Sequence, residues 1–277
     1  MRRWFALLLL TLLVLPVIAQ EPPPAQPTVQ RLVPKILNTY PHDPDAFTQG
    51  LIFYEGKLFE STGQYGESSL REVDPTTGEV LREIPVSRPS GDIAKGLQDY
   101  FAEGLERVGD DLFQLTWMDG EAFVYDLSTF EKKNTFNYDG EGWGLCTDGR
   151  FFYMSDSTNY LSLRDTETFD LVVRFLITIE GQPLQPNFLN ELECVEDSVY
   201  ANLWQTDYIA VINKMDGTIT GVIDASALLT AEEKGKLQGN QVLNGIAYNP
   251  ETKTFFITGK EWPKMFEVEF VPAPVQN

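Results

Sequence analysis

Short apolar segments alternate with turn residues along most of this chain, and one three-residue pattern precedes five of them. Each copy begins with a large polar or aromatic residue and ends with an aliphatic one, and glycine holds the middle position in four of the five. The copies are Gln49-Gly50-Leu51, Glu103-Gly104-Leu105, Trp143-Gly144-Leu145, Asn190-Glu191-Leu192 and Asn244-Gly245-Ile246. Their spacings of 54, 40, 47 and 54 residues predict a repeat architecture.

Each copy opens a predicted β-hairpin. The apolar run ends at a turn rich in Gly, Asp, Asn or Pro, and a second strand-like run follows. A third strand ends near an acidic or amide residue, 25, 23, 22, 23 and 23 residues after its copy begins. These residues are Asp74, Asp126, Asp165, Asn213 and Glu267. This nearly constant offset indicates a real repeat, so the unequal spacings come from long loops such as 87–100 and 225–241.

A fourth strand follows in the first four units, but the fifth lacks one because the chain ends soon afterwards. A spare strand-like segment, Arg31 to Leu37, precedes the first unit and can complete the fifth sheet. Such a closure removes open sheet edges. The pattern therefore predicts an all-β fold, a five-bladed β-propeller over residues 31–277 with its ring closed by an N-terminal strand. The alternative is a β-sandwich or barrel, which would not need so constant an offset.

The N-terminus has the pattern of a targeting segment. Arg2 and Arg3 precede a nearly all-apolar stretch, 4–19, that ends in the small-residue pattern Val17-Ile18-Ala19. We predict a signal peptide over 1–19, a flexible Pro-rich linker over 20–30, and an exported protein, periplasmic or extracellular, without a stable membrane partner. The alternative is an uncleaved membrane anchor, although 16 apolar residues are short for a span of about 20.

The formal net charge is −20, and it becomes −22 once Arg2 and Arg3 leave with the signal peptide. This charge argues against a nucleic-acid partner, because phosphates favour Lys and Arg. Acidity of this kind is typical of a soluble exported protein, with an acidic metal-binding surface as the alternative.

Cysteine and histidine are scarce. Cys146 and Cys194 occupy similar places in the third and fourth units, which leaves a disulfide and two buried thiols both open. The only histidine, His42, lies in the turn-like Pro41-His42-Asp43-Pro44, and we interpret it as structural. With one histidine and no CxxC pair, the sequence excludes a His-rich zinc site and a Ser-His-Asp triad built on another histidine.

The first positions of the five copies predict a shared site. Equivalent first strands surround the channel of a propeller, so these residues are expected around one mouth: Gln49, Glu103, Trp143, Asn190 and Asn244. Positions two residues earlier share the same face, and the ends of the second strands add to it: Phe47, Phe101, Phe188, Trp117, Trp204 and Lys260. Aromatic walls with a few polar groups are typical of small-ligand pockets. Alternatively, the glycines and aromatics serve packing alone, although a buried carboxylate seldom lacks a partner or a purpose.

Ordered stretches from Tyr40 to about Glu267 resemble the plant- and bacterial-type glutaminyl cyclotransferases, also called glutaminyl cyclases. The most specific stretch runs from Tyr40 to Leu51. The other matching stretches are Glu103 to Leu105, Gln114 to Trp117, Gly142 to Leu145, Leu189 to Glu193, Ala201 to Trp204, Leu243 to Ala247 and Thr258 to Pro263. They cover nearly the whole mature chain.

The resemblance implies a five-bladed propeller with acyltransferase (aminoacyltransferase) activity, which converts the N-terminal glutamine of peptides or proteins to pyroglutamate and releases ammonia. It implies no catalytic zinc and no other cofactor for catalysis, and it leaves a structural metal open. The family's catalytic carboxylate matches Glu103, and its polar contacts match Gln49, Asn190 and Lys260. Its pocket aromatics match Phe47, Phe101, Trp117, Trp143 and Trp204. We expect a monomer whose partners are its peptide or protein substrates. The long loop 87–100 departs from the family pattern and leaves the preferred substrate length open.

Cyclisation requires the α-amine to attack the γ-carboxamide carbon while one proton passes to the leaving nitrogen. We expect Glu103 to carry that proton, Lys260 or Asn190 to stabilise the oxyanion, and Asn244 to join the substrate-binding set. One alternative function is a non-enzymatic secreted propeller that binds a peptide or small ligand. Another is a hydrolase or lyase with a metal in its channel. Such an enzyme would need several carboxylates on the channel axis, and only Glu103 and Glu191 are available there.

Overall fold

The chain folds into β-strands joined by short turns, in a computed structural model that describes residues 28–185 and 188–274. The strands are β1 (Gln30–Pro41), β2 (Thr48–Tyr54), β3 (Lys57–Thr62), β4 (Ser69–Val73), β5 (Val80–Pro85), β6 (Ala102–Val108), β7 (Asp111–Thr116), β8 (Glu121–Asp126), β9 (Lys132–Asn137), β10 (Leu145–Thr147), β11 (Phe151–Met154), β12 (Tyr160–Asp165), β13 (Leu171–Leu176), β14 (Thr178–Ile179), β15 (Gln182–Pro183), β16 (Leu189–Val195), β17 (Ser198–Leu203), β18 (Tyr208–Asn213), β19 (Ile219–Asp224), β20 (Leu243–Asn249), β21 (Thr254–Gly259) and β22 (Lys264–Pro272). Two short helices, α1 (Ser90–Ile93) and α2 (Ala231–Lys234), lie in the two long loops expected from the spacing. The all-β prediction is confirmed.

The predicted signal peptide and residues 20–27 of the predicted linker lie outside the described ranges. Within those ranges, neither helix is long and apolar enough to cross a bilayer.

The strands form several sheets of consecutive hairpins. Three sheets have four strands each, in the orders β2-β3-β4-β5, β6-β7-β8-β9 and β10-β11-β12-β13. An eight-stranded sheet has the order β16-β17-β18-β19-β1-β22-β21-β20, and β14 pairs with β15 in a small ribbon. The N-terminal strand β1 thus lies beside the last strand, antiparallel to it from Leu32 to Pro41, and parallel to β19 at Gln30 to Leu32.

The first strands of the five repeats contact one another in a closed cycle. Strand β2 contacts β6, β6 contacts β10, β10 contacts β16, β16 contacts β20, and β20 contacts β2. The glycine of the repeated pattern permits this approach. A Cβ atom at Gly50 would lie 2.8 Å from Leu105 Cβ, and one at Gly104 would lie 2.7 Å from the Leu145 amide nitrogen. Equivalent positions of the repeats therefore meet around one axis.

Glu191 takes the glycine place in the fourth copy. Its side chain is buried, and its carboxylate accepts the backbone N–H of Ile246 at 2.8 Å and that of Leu51 at 3.4 Å. Burial raises the pKa of Glu191 well above its ordinary value, against the opposing effect of these two hydrogen bonds. One carboxylate thus ties three first strands together.

In the first three repeats, the acidic residue at the end of the third strand closes a turn. Asp126 Oδ1 accepts the backbone N–H groups of Ser128 and Thr129, both at 3.0 Å, and Asp74 and Asp165 make equivalent turns. This side-chain turn explains the constant offset. The prediction that a third strand ends near Glu267 is wrong, because β22 continues to Pro272 with β1 paired along it.

Apolar cores lie between neighbouring sheets, and one covalent bond also joins two of them. Leu70 of the first sheet packs with Leu105 and Phe123 of the second, for example. Cys146 in β10 and Cys194 in β16 form a disulfide with their Cα atoms 5.4 Å apart. The bond joins the third repeat to the fourth. Of the two alternatives left open by the sequence, a disulfide and two buried thiols, the structure has the disulfide.

Candidate active site

A cavity of about 400 Å³ opens where the first strands begin and the second strands end. These ends share one edge because first and second strands pair antiparallel. The cavity is lined by Phe47, Gln49, Gln64, Phe101, Glu103, Trp117, Trp143, Asn190, Trp204, Gln238, Asn240, Gln241, Lys260 and Glu261. Every site residue predicted from the sequence is in this set except Asn244 and Phe188.

Asn244 lies behind Gln49 instead of in the cavity wall. Its side-chain amide donates to the Thr48 carbonyl at 2.9 Å and to Gln49 Oε1 at 3.3 Å. The Gln49 amide group in turn donates to Glu103 Oε1 at 2.8 Å. Asn244 therefore orients Gln49, and Gln49 orients Glu103. The structure places Asn244 outside the cavity wall, where it does not make the direct substrate contact expected of it.

Glu103 is a buried carboxylate with one committed and one open oxygen. Its side chain is 4% exposed, Oε1 accepts from Gln49, and Oε2 has no hydrogen-bond partner among the described residues. Burial raises the pKa of Glu103 well above its ordinary value, the charge of Lys260 opposes that rise, and the charge of Glu141 adds to it. The raised pKa favours the protonated form of this carboxyl group, and its open oxygen is the one without a partner in the described part of the chain.

Lys260 faces the same cavity from the loop after β21. Its ammonium group lies 4.8 Å from the centroid of the Phe47 ring, and its residue is 3% exposed. Burial lowers the pKa of Lys260 to about 8, against the opposing effect of the Glu103 charge. Within the described ranges no carboxylate lies within 4.0 Å of its ammonium group, so this cation is available to a ligand oxygen.

Asn190 and the aromatic rings complete the walls. Asn190 is buried, and its Oδ1 has no partner in the described part of the chain. Phe101 packs edge-on against Phe47 at 5.9 Å and against Trp117 at 5.7 Å, and Trp143 packs edge-on against Trp204 at 5.4 Å between centroids. Phe188, a weaker candidate, does not line the cavity and instead packs against Trp204 at 5.6 Å. The cavity is thus walled by aromatic rings that pack edge-on against one another, with polar side chains between them.

Sequence reasoning missed the residues that loops bring to the cavity mouth. Gln64 and Glu261 follow second strands with left-handed backbone φ angles of 89° and 58°, and Gln238, Asn240 and Gln241 come from the loop after α2. These residues belong to no periodic pattern. The only available signal was position, since Glu261 follows directly on Lys260, a second-strand end already singled out.

His42 lies outside the cavity and ties three segments together. Its Nδ1 is 2.6 Å from the Trp262 carbonyl oxygen, and its Nε2 is 3.0 Å from Glu60 Oε1. Burial alone would lower the pKa of His42, but the Glu60 carboxylate, the hydrogen bond to the Trp262 carbonyl and the charge of Asp43 together raise it. These contacts agree with the structural interpretation. Among residues 28–185 and 188–274, no group of three or more His, Cys, Asp or Glu side chains is arranged to hold a metal ion.

A buried carboxyl group, Glu103, and a buried lysine, Lys260, thus face one aromatic cavity at the meeting point of the sheets, an arrangement suited to acid–base chemistry. The sequence model of the glutamine cyclotransferase family matches residues 8–270. The chain therefore belongs to the glutamine cyclotransferase family.

Two proteins are similar to this chain over most of its length. The chain is 40% identical over 246 residues to a glutaminyl-peptide cyclotransferase of Arabidopsis thaliana, which covers 88% of this chain and 73% of the relative. The crystal structure of Myxococcus xanthus glutaminyl cyclase matches it with a TM-score of 0.79 at 36% identity, over 89% of this chain and 100% of that one.

Proposed function

We propose that this enzyme is a glutaminyl-peptide cyclotransferase, which converts the N-terminal glutamine of a peptide or protein to pyroglutamate and releases ammonia. The observation that carries the proposal is Glu103, buried in an aromatic cavity with one oxygen held by Gln49 and the other open. Membership of the glutamine cyclotransferase family supports the same reaction.

Glu103 carries the proton in this reaction. The α-amine of the substrate, in its neutral form, attacks its own γ-carboxamide carbon, so that a ring C–N bond forms and a tetrahedral oxyanion develops. Glu103 Oε2 takes a proton from the α-nitrogen and delivers it to the amide nitrogen, whose bond to carbon then breaks to release ammonia. General acid–base catalysis of this kind contributes about 10²–10⁴-fold to rate. The raised pKa of Glu103 suits a group that must both accept and return a proton.

Lys260 and Asn190 bind the oxygen of the carboxamide as it gains charge. Lys260 supplies a buried positive charge without a carboxylate partner in the described ranges, and Asn190 supplies a side-chain amide that lines the same cavity. A preorganised donor in a water-poor site stabilises an oxyanion far better than the same donor in water.

The aromatic box supplies proximity. A glutamine side chain has several rotatable bonds, and only folded-back conformers bring its carboxamide next to its own amine. Rings that are already packed edge-on against one another restrict the bound side chain to few conformers, without ordering themselves during binding. The binding residues in this proposal are Phe47, Gln49, Phe101, Trp117, Trp143 and Trp204, with Asn244 acting through Gln49.

We further propose that the five hairpin repeats are the blades of a propeller over residues 31–277, with β1 closing the ring. The closed cycle of contacts among the first strands and the position of β1 between β22 and β19 support this architecture. Export through the segment 1–19 is supported by the Cys146–Cys194 disulfide, because such bonds persist in oxidising compartments. N-terminal sequencing of the exported protein tests cleavage after Ala19, and size-exclusion chromatography tests the proposed monomer.

We propose zinc-independent catalysis with no other cofactor, on the ground that the chain has a single histidine and that His42 is already held by Glu60 and Trp262. A chelator should leave turnover unchanged. Loss of activity that zinc restores would refute this part of the proposal.

One assay tests the function itself. The purified protein is incubated with a peptide that begins with glutamine and with a matched peptide that begins with asparagine, and released ammonia and the corresponding mass loss are measured. Cyclisation of the first peptide with no reaction of the second is the expected result. Binding of the glutamine peptide without ammonia release would instead favour the non-enzymatic ligand-binding propeller.

A further inference from the structure

Glu141 stands behind the aromatic wall of the cavity and touches two of its rings. Its Oε2 accepts the indole N–H of Trp117 at 3.0 Å and the indole N–H of Trp143 at 2.8 Å. Both indoles line the cavity, whereas Glu141 does not. One carboxylate oxygen outside the cavity thus fixes the orientation of two rings that come from different repeats.

The backbone holds this carboxylate in place. The N–H of Gly142 donates to the Trp117 carbonyl at 2.9 Å, and the N–H of Trp143 donates to the Ser155 carbonyl at 3.0 Å. A Cβ atom at Gly142 would lie 2.9 Å from the Tyr138 ring, so this segment packs closely against its neighbours. The acceptor is therefore prepositioned, which is what precise placement of a binding wall requires.

We propose that Glu141 is a positioning residue, which holds the indoles of Trp117 and Trp143 in the orientation that closes the wall around the glutamine side chain of the substrate. This inference rests on the proposed function. The indole N–H groups would otherwise need water or a substrate atom as acceptor, and the rings would turn to reach one.

The charge of Glu141 has a second effect on the same site. The titratable groups near Glu103 are Lys260, Glu141, Tyr65 and Tyr138. Lys260 lowers the pKa of the Glu103 carboxyl group, and Glu141 raises it. The two roles of Glu141 are separable, since an amide oxygen accepts the same indole hydrogens without carrying charge.

Three variants separate these roles. Glu141→Ala removes both acceptor and charge, Glu141→Gln removes the charge alone, and Asp139→Asn removes an exposed charge two residues away that makes no indole contact. The readouts are kcat and KM for a glutamine-initiated peptide over a range of pH, and the ¹H–¹⁵N indole resonances of Trp117 and Trp143. Phe substitution of each tryptophan assigns its resonance.

The expected pattern is specific. E141A shifts both indole resonances upfield and lowers kcat/KM by about tenfold or more, because small misplacements in a binding wall are costly. E141Q keeps both resonances near their original positions and keeps the plateau of kcat/KM within about threefold, while its acid limb moves to lower pH. D139N matches the wild type. If E141A does not fold, Glu141→Met replaces it as a variant of similar length without an oxygen acceptor.

Several results would overturn the inference. Unchanged indole resonances and unchanged kcat/KM in E141A would show that Glu141 positions nothing. Equal losses in E141Q and E141A would assign the effect to charge and not to orientation. A wild-type protein that released no ammonia would refute the proposed function, whereas the resonances would still decide whether Glu141 orients the rings.

Discussion

Glu103→Gln is the substitution that most directly tests the proton-transfer chemistry. Gln has nearly the same shape as Glu, and its amide still meets Gln49 at the position where Oε1 accepts a hydrogen bond of 2.8 Å. The open position of Oε2 is then occupied by an amide group, which cannot take a proton from an amine. The cavity, its aromatic walls and Lys260 remain.

The expected loss in kcat is about 10²–10⁴-fold, the contribution of general acid–base catalysis. This loss corresponds to about 2.7–5.5 kcal/mol of activation free energy at 1.36 kcal/mol per decade. KM should change little, since the box that binds the side chain is intact.

Stability should move in the opposite direction from activity. The pKa of Glu103 is raised in the folded protein, so its favourable contribution is complete below the ordinary pKa and is lost as pH rises through the folded value. Gln is neutral at every pH, so the E103Q protein does not lose this stability as the pH rises. E103Q is therefore expected to be as stable as the wild type at pH 4, below the ordinary pKa of 4.5, and to have gained stability relative to the wild type at pH 8.

The assay measures ammonia release from a glutamine peptide, and urea unfolding at both pH values reports stability. Glu106→Gln is the matched control, because Glu106 lies on the same strand, three residues on, and does not line the cavity. E106Q should retain turnover. Retention of more than about a tenth of wild-type kcat in a folded E103Q protein would refute the role of Glu103.

Three further predictions concern other parts of the molecule. Lys260→Met removes the charge that lowers the pKa of Glu103, so the acid limb of kcat/KM should move to higher pH, and a limb near the Lys260 pKa of about 8 should disappear from the pH profile. Glu191→Gln should flatten the fall in urea stability between pH 5 and pH 9, because the raised pKa of Glu191 makes the wild type lose stability with rising pH, and a parallel fall in both proteins would contradict this. Serine at both Cys146 and Cys194 should cost about 4 kcal/mol in unfolding free energy, from the loop entropy of a 48-residue separation, and an unchanged urea midpoint would exclude any stabilising role for the bridge.

The sequence pattern found the centre of the site because equivalent strand positions meet in space. Gln49, Glu103 and Asn190 each open a first strand, and the antiparallel second strands bring Trp117 and Trp204 to the same edge. Period and strand alternation are enough for such residues. The family resemblance added a role for each of them.

Long-range partners explain what the pattern could not supply. The Asn244 side chain turns toward the Thr48 carbonyl of another repeat. It therefore does not face the cavity, although it has the same place in the repeated pattern as Gln49 and Glu103. Glu267 sits within β22 because β1, from the other end of the chain, extends that strand's pairing. Glu141 was missed for a similar reason, since its importance comes only from two indole contacts that no spacing reveals.

The pairing of β1 with β22 has a consequence for when this sheet can be completed during synthesis. β1 is translated before every other described strand, whereas its antiparallel partner, Lys264–Pro272, is translated after all of them. Until then one side of β1 stays unpaired, and the sheet of β20 and β21 has an open edge of the kind that invites association between chains. A chain that stops short of β22 would keep that edge permanently. Completion of this sheet therefore waits for β22, which is translated after every other described strand.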